Sequence, residues 1–379
     1  MARGPDGKGG GAGFSLSDQL FNAQSLGDLA AEYACLPGFD PQAYLDKALP
    51  GLIGRGLLER LDWLADCLEE HLPRDFPAMA EALVAAMPPP LDPNKSDDDF
   101  GRFIHALPGI LAVRHGIEAH PGLALDLIYE ATKRFSMEFY IRPFLNLWPD
   151  LTLERLERWS MDDNYHVRRL VSEGTRPRLP WAKKITLPPE IPLRFLDRLY
   201  GDKTRYVTRS VANHMNDLTR IIPERVVTHL QCWREAGQQE EGELDWICRH
   251  ALRSAVKRGE RSALDFLGYH QGDLNAQITL QDDEPRIGGT LRFEVTLQGA
   301  QALPVMVDYR LRFHRPKGTG EKVFKLKTTK LTPGRPVTLS KVHPLKGNAS
   351  TFRLYPGPHE LILQVNGMDV ARAAFTLRE

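Results

Sequence analysis

Apolar residues return along this chain with two different periods, and the change falls near residue 270. Up to about residue 270 the period is helical, with Pro, Gly or Asp punctuation every 15 to 20 residues. Residues 57–72 (LLERLDWLADCLEEHL), 76–87 and 123–134 read as amphipathic helices, and the Pro-rich run at 88–94 separates helices cleanly. After Gly268 short runs alternate apolar and polar residues at 277–280, 290–297, 306–313, 323–327, 337–342, 360–365 and 370–377. Turn pairs such as Gly288-Gly289, Pro333-Gly334, Pro356-Gly357 and Asn366-Gly367 divide them. Seven such runs predict a β-sandwich of immunoglobulin or fibronectin type, without the Cys and Trp of an antibody domain.

The helical part carries an internal repeat. Val167-Arg169-Val171, Val207-Arg209-Val211 and Ile247-Arg249-Ala251 follow one another at an offset of 40. That period, with an aliphatic pair at i and i+4, predicts stacked helical hairpins of the HEAT or armadillo kind, in which each repeat buries its apolar face on its neighbours. About six or seven hairpins fit the length. The expected fold is therefore mainly α: a HEAT-like α-solenoid of antiparallel helical pairs over 14–270, followed by a small all-β Ig-like sandwich over 275–379, with 1–13 as a flexible tail.

A helical projection puts Val167, Leu170, Val171 and Gly174 on one side of the first repeat helix, and His166, Arg169 and Glu173 on the other. Val207, Ser210 and Val211 likewise face in, while Tyr206, Arg209, Asn213, Asn216 and Asp217 face out; in the third repeat Trp246, Arg249, Arg253 and Lys257 share the outer side. Stacking predicts an outward stripe of arginines with Glu173 and Asp217 among them. Two readings of Arg169, Arg209 and Arg249 stay open at this point, a ladder residue that bonds the neighbouring repeat and a phosphate contact. Glu173 and Asp217 are either surface charges or the acidic centre of a site for a polyanion with a cationic group.

Composition changes this picture little. The 379 residues, 42% hydrophobic and 26% charged, suit a globular chain, and zero formal net charge announces no polyanion. Its distribution says more. Between Tyr309 and Lys346 there are eleven Lys or Arg against one acid, Glu321, and from His166 to Lys184 six against Glu173. Such local excess favours an anionic partner over a merely solvated sheet face. The acidic run Asp97-Asp98-Asp99 reads as a solvated loop. Cysteines at 35, 67, 232 and 248 form no C-x-x-C, so no disulfide framework or zinc site is indicated and a reducing cytoplasm fits. No long apolar stretch predicts export or a membrane span. The Gly-Lys pair of the tail follows no strand and precedes no Ser or Thr, so it is not read as a phosphate loop.

Three stretches resemble a known family. Residues 159–182 (WSMDDNYHVRRLVSEGTRPRLPWA), 137–144 (MEFYIRPF) and 210–218 (SVANHMNDL) are similar to the signature of the AlkC branch of alkylpurine DNA glycosylases. The likeness covers the whole helical part, and one subgroup of that branch carries a C-terminal Ig-like domain. The resemblance implies a HEAT-like-repeat enzyme of base excision repair acting on double-stranded DNA. It implies excision of cationic N3-methylated bases, 3-methyladenine and, in the Ig-bearing subgroup, 3-methylcytosine, without the usual extrusion of the target base. No cofactor or metal is implied, and a monomer working at the nucleoid in the cytoplasm is expected.

The chemistry agrees with that role. A methylated N3 makes the base cationic and a good leaving group, so no general acid is required. Charge then develops on the deoxyribose, where a carboxylate stabilises the oxocarbenium-like centre and orients water. Glu173, Asp217 and Glu138 match the family's acidic positions and are the candidate catalytic residues, with Glu173 expected nearest the sugar. Trp181 matches the aromatic position, where an indole adds about 0.5 to 2 kcal/mol of cation–π attraction; Tyr140 and Asn213 join it as candidate substrate contacts. The plainer readings are a core tryptophan behind Pro180 and a surface pair of Glu138 with Arg142 at i+4. Arg168, Arg169, Arg176, Arg178 and Arg209 are candidate phosphate contacts. In the β region, residues 314–322 form a basic hairpin shaped to enter a minor groove, with Arg315, Lys317 and Lys322 as its contacts. Removal of everything beyond Gly268 is expected to keep some 3-methyladenine activity and lose 3-methylcytosine excision. Rival readings are a non-catalytic repeat scaffold, which predicts an apolar concave face, and a damaged-DNA sensor; a metal-dependent nuclease is disfavoured because twelve histidines show no ligand spacing.

Overall fold

The computed structural model describes residues 15–97, 99–347 and 353–379. The tail with its Gly-Lys pair, and Asp98 of the acidic run, lie outside the described residues. Two compact units emerge: the chain up to Ile221 together with Trp233–Ala251, and Ile222–Cys232 together with Leu252–Glu379.

The first unit is built of helices. Leu57–Glu69 buries Leu61, Leu64, Ala65 and Leu68, the i, i+3, i+4, i+7 face expected from its pattern. Phe76–Ala85 starts at Asp75, whose carboxylate accepts from Ala78 N, with Pro77 in the first turn; Pro121–Thr132 also opens on a proline. The repeat offset holds in space: Val167, Val171, Val207, Val211, Ile247 and Ala251 are each 0% exposed. Burial of each such valine or isoleucine is worth roughly 1.5–3 kcal/mol, so the repeated aliphatic pair favours stacking of neighbouring hairpins. Among the described residues no helix is long and apolar enough to cross a membrane.

The second unit contains all seven expected strands: β1 Leu274–Leu280, β2 Thr290–Gly299, β3 Leu303–Arg315, β4 Gly318–Leu331, β5 Val337–Pro344, β6 Gly357–Val365 and β7 Met368–Leu377. They form one sheet of order β1-β2-β5 and another of order β4-β3-β6-β7, a three-on-four sandwich. Alternation does the work: Leu291, Phe293, Val295 and Leu297 of β2 enter the core while Thr290, Arg292 and Glu294 stay out. Tyr309 Oη of β3 lies 2.8 Å from buried His343 Nδ1 of β5 and links the two sheets. The Asn366-Gly367 turn has φ of 47° and 80°, as a two-residue hairpin requires. Residues 259–270 pack on that turn. A Cβ on Gly367 would meet Gly259 O at 2.9 Å and Leu264 Cδ1 at 2.6 Å, and Asn366 Nδ2 donates to His270 O at 2.7 Å.

Candidate active site

The helices Tyr165–Gly174 and Arg205–Leu218 lie side by side and carry the carboxylates at their C-terminal ends. Asn164 caps the first by accepting from His166 N at 2.9 Å. Close approach of a third helix, Ile141–Leu147, depends on Gly174, since a Cβ there would sit 2.5 Å from Ile141 Cγ2. That approach lets Arg142, 1% exposed, donate from Nη1 to Gly174 O at 3.0 Å and Arg176 O at 2.7 Å, and from Nε to Lys183 O. Burial pulls its pKa down to about 10. Arg142 thus pins the chain that leaves the helix, and it is not the surface partner of Glu138. Asn146 Nδ2 continues the same job at Lys184 O.

Glu138, Glu173 and Asp217 are joined by two arginines. Arg169 Nη1 donates to Glu138 Oε2 at 2.8 Å and Ser136 Oγ at 2.6 Å, and its Nη2 lies 3.6 Å from Glu173 Oε2. Arg176 Nη1 donates to Glu173 Oε1 at 2.5 Å and Nε to Asp217 Oδ2 at 2.8 Å. Ser210 Oγ donates to Glu173 Oε2 at 2.6 Å and lies 3.0 Å from Ser172 Oγ. Behind them the fully buried His214 donates from Nδ1 to Ser172 O at 2.9 Å, which fixes its tautomer. The side chains of Glu173, Arg169 and Arg176 are 6%, 13% and 13% exposed, so this is a largely enclosed ion network. The expected outward stripe of arginines is corrected accordingly. Arg169 and Arg176 point at carboxylates of neighbouring repeats because buried charge persists only when paired.

Electrostatics sets the protonation of the network. Burial alone would raise the Glu173 carboxyl; the charges of Arg169 and Arg176 and the Ser210 hydroxyl outweigh it and hold the group below the ordinary glutamate range. Arg169 and Arg176 are lowered by burial and raised more strongly by their carboxylates, so both stay charged. Burial depresses His214 to about 3 and His166 to about 4, leaving both rings neutral. Glu173, His166 and His214 therefore offer no acid at neutral pH.

The other candidates fall elsewhere. Tyr140 and Trp181 line a cleft of about 300 Å³ together with Leu61, Ile110 and Phe139. Trp181 is 71% exposed at φ 64°, which excludes the core-tryptophan reading and marks a strained, presented side chain. Asn213 Oδ1 lies 2.9 Å from His250 Nε2. Arg168 bonds Asp202 at 2.5 and 3.0 Å and the carbonyls of Asp162 and Asp163. Arg209 pairs with Asp97. Arg249 is exposed and meets Asp245 one turn back on its own helix. Arg178 is exposed on the loop that Arg142 pins, beside Lys183 and Lys184.

In the second unit Arg315, Lys317 and Lys322 are exposed at the β3–β4 hairpin, where Arg315 pairs with Gly318 across a Pro316-Lys317 turn. The basic excess is smaller than a count along the chain suggests. Arg310 reaches Glu321 and Asp369, and Arg312 reaches Glu321 and Glu360, the acids Glu360 and Asp369 coming from β6 and β7. Sequence reasoning missed Ser172, His214 and Arg142 as supports. A serine at position 210, on an otherwise aliphatic face, was the one visible signal.

A helical unit followed in one chain by an Ig-like sandwich is the architecture that the comparisons place among repeat-based DNA N-glycosylases. Residues 275–379 match the family model described as "Uncharacterised protein YhaZ, C-terminal Ig-like domain". The chain is 29% identical over 364 residues to Uncharacterized protein YhaZ of Bacillus subtilis (strain 168), covering 92% of this chain and 96% of that one. It is 30% identical, with a TM-score of 0.82, to the Pseudomonas fluorescens alkylpurine DNA glycosylase AlkC bound to DNA containing an abasic site analog, covering 97% of this chain and all of that one. The chain belongs to the AlkC family of alkylpurine DNA glycosylases.

Proposed function

We propose that this enzyme hydrolyses the N-glycosidic bond of cationic N3-methylated bases, 3-methyladenine and 3-methylcytosine, in duplex DNA. The observation that carries the reading is an ionised Glu173 held between two guanidiniums and backed by a neutral His214. Such a site cannot activate a neutral base by protonating it, but it suits a base that already bears a positive charge. As the bond to C1′ stretches, Glu173 stabilises the cationic sugar, and Asp217 and Glu138 orient water or hold the lesion. Arg169 and Arg176 keep Glu173 ionised and hold the three carboxylates aligned in the absence of DNA. Trp181, presented beside Tyr140, places a π face against the methylated base or its sugar.

Arg178 and the adjacent Lys183 and Lys184 supply backbone contacts near the lesion, and Arg315, Lys317 and Lys322 supply them from the Ig-like unit. The protein acts on the chromosome in the cytoplasm as a monomer. Randomly methylated DNA incubated with the protein, followed by chromatography of released bases, tests reaction type and specificity together. Single-turnover release of 3-methyladenine by Glu173→Gln and Asp217→Asn tests the mechanism: wild-type rates in both, with binding intact, would overturn it.

A further inference from the structure

The segment between Leu91 and Gly101 is tied down at both ends. Leu91 N donates to Lys133 O at 2.9 Å, and Gly101 bridges Phe135, with φ 68° at a point where a Cβ would strike Arg134 O at 1.9 Å. Between these anchors Ser96, Asp97 and Phe100 lie against the N-terminal part of the Arg205–Leu218 helix. Thr204 makes no side-chain cap there, and Ser96 O accepts from Tyr206 N at 3.0 Å instead. Asp97 meets Arg209 with both oxygens, Oδ1 at 2.5 Å and Oδ2 at 3.2 Å. Phe100, 48% exposed, packs edge-on against Tyr206 at 5.5 Å, and the Arg169 guanidinium lies over the same Tyr206 ring at 4.8 Å.

An open helix N-terminus together with a guanidinium fork is what a phosphate binds, through backbone N–H groups and two parallel charge-assisted bonds. Here a carbonyl and a carboxylate of the same chain hold both positions. Arg209 stands on the polar face that ends at Asp217, eight residues and about 12 Å further along the helix. A backbone phosphate one or two nucleotides from a sugar held at Asp217 falls within that distance, so a duplex seated on the face and Asp97 compete for one cation.

We propose that Asp97 is a displaceable phosphate mimic: with Ser96 O it occupies the Arg209 guanidinium and the adjoining helix N-terminus until a DNA phosphate takes them. The inference rests on the reading that this face receives DNA, and it adds a device that weakens the hold on undamaged duplex. Displacement exposes the Asp97 carboxylate to water and gives Arg209 to the phosphate, so the cost appears in every encounter and keeps the enzyme from lodging on ordinary DNA.

Fluorescence anisotropy of an undamaged duplex titrated with the full chain, over a series of salt concentrations, tests it. Asp97→Asn should bind about five- to tenfold more tightly at low salt, with the salt slope unchanged because Arg209 meets the same phosphate in both proteins. The double variant Asp97→Asn/Arg209→Ala should bind no more tightly than Arg209→Ala alone. Unchanged or weaker binding by a folded Asp97→Asn overturns the proposal. Amide exchange of the wild-type protein gives a measurement independent of any variant. On adding duplex, the peptide spanning 91–101 should exchange faster, and slowed or unaltered exchange refutes displacement. A wild-type protein that binds no duplex at all removes the parent reading as well, whereas normal binding with no Asp97 effect removes only this one.

Discussion

In the helical unit Glu173 exposes 6% of its side chain and touches two guanidiniums and a hydroxyl; in the β unit Arg315 and Lys317 stand in water at a hairpin tip. Both arrangements favour a charged partner, but in different ways. Enclosed charges are fixed in place before the partner arrives and act at short range in a low dielectric, which is what stabilisation of a reacting sugar requires. Exposed charges are screened, mobile and interchangeable, which suits a grip on a uniform phosphate backbone. On the proposed function, chemistry and holding fall to different units of one chain.

The difference is broken most severely at Arg176. Arg176→Ala leaves Glu173 and Asp217 enclosed without their shared cation, and should lower stability by about 3–5 kcal/mol in chemical denaturation. Arg312→Ala in the β unit removes contacts to Glu321 and Glu360 that are already a third exposed, and should cost far less. Equal losses in the two would mean that the enclosed network is not held by its ion pairs. Next in size, Glu173→Gln should slow single-turnover excision about 100- to 1000-fold, the range for loss of one preorganised charge facing a transition state. The hairpin substitutions should leave that rate unchanged once the enzyme saturates the DNA.

Acid separates the units further. His214 is depressed to about 3 from 6.5, so the unfolded chain takes up the proton first. Its stabilisation is complete above about pH 6.5 and is lost as pH falls toward 3, at about 1.4 kcal/mol per pH unit. Glu173, also lowered, adds to the loss only below its usual 4.5. In the β unit His343 behaves like His214, with a folded value of about 4. Asp308 has the opposite sign. Burial raises it to about 6, so its unfavourable charge is relieved as pH falls through that value and partly offsets His343. All six tryptophans lie in the helical unit, so their fluorescence reports it alone. On acidification from pH 7 to 4 the tryptophan signal should lose stability before β-unit circular dichroism does; the reverse order contradicts the assignment.

The elements were legible because each is set by local periodicity. All seven strands and the Val167, Val207 and Ile247 register follow from side-chain alternation and a repeat of 40, and the structure keeps them. Partnership was not legible, because it depends on residues far along the chain. Arg169 meets Glu138 31 positions away, Arg176 meets Asp217 at 41, and Arg209 meets Asp97 at 112. A helical projection places an arginine on the outer face but says nothing of the carboxylate a neighbouring repeat brings to it. Likewise a tally over 309–346 cannot include Glu360 and Asp369, which sheet pairing sets beside Arg312 and Arg310. Which protein groups already engage each arginine was visible only in the structure.

The smallest effect is at the hairpin, and it is the sharpest on the division of labour. Arg315, Lys317 and Lys322 are exposed, so replacing them with alanine should leave the unfolding midpoint within about 0.5 kcal/mol of wild type. If all three lie along the phosphates, the slope of log affinity against log salt should fall by about 2.7, close to 0.9 for each cation removed. The same triple substitution should weaken binding of lesion-bearing and undamaged duplex by equal factors, because a phosphate contact carries no information about the base. A selective loss for 3-methylcytosine, with 3-methyladenine spared, would instead show that the hairpin takes part in choosing the lesion, and that grip and chemistry are less separate than the two units suggest.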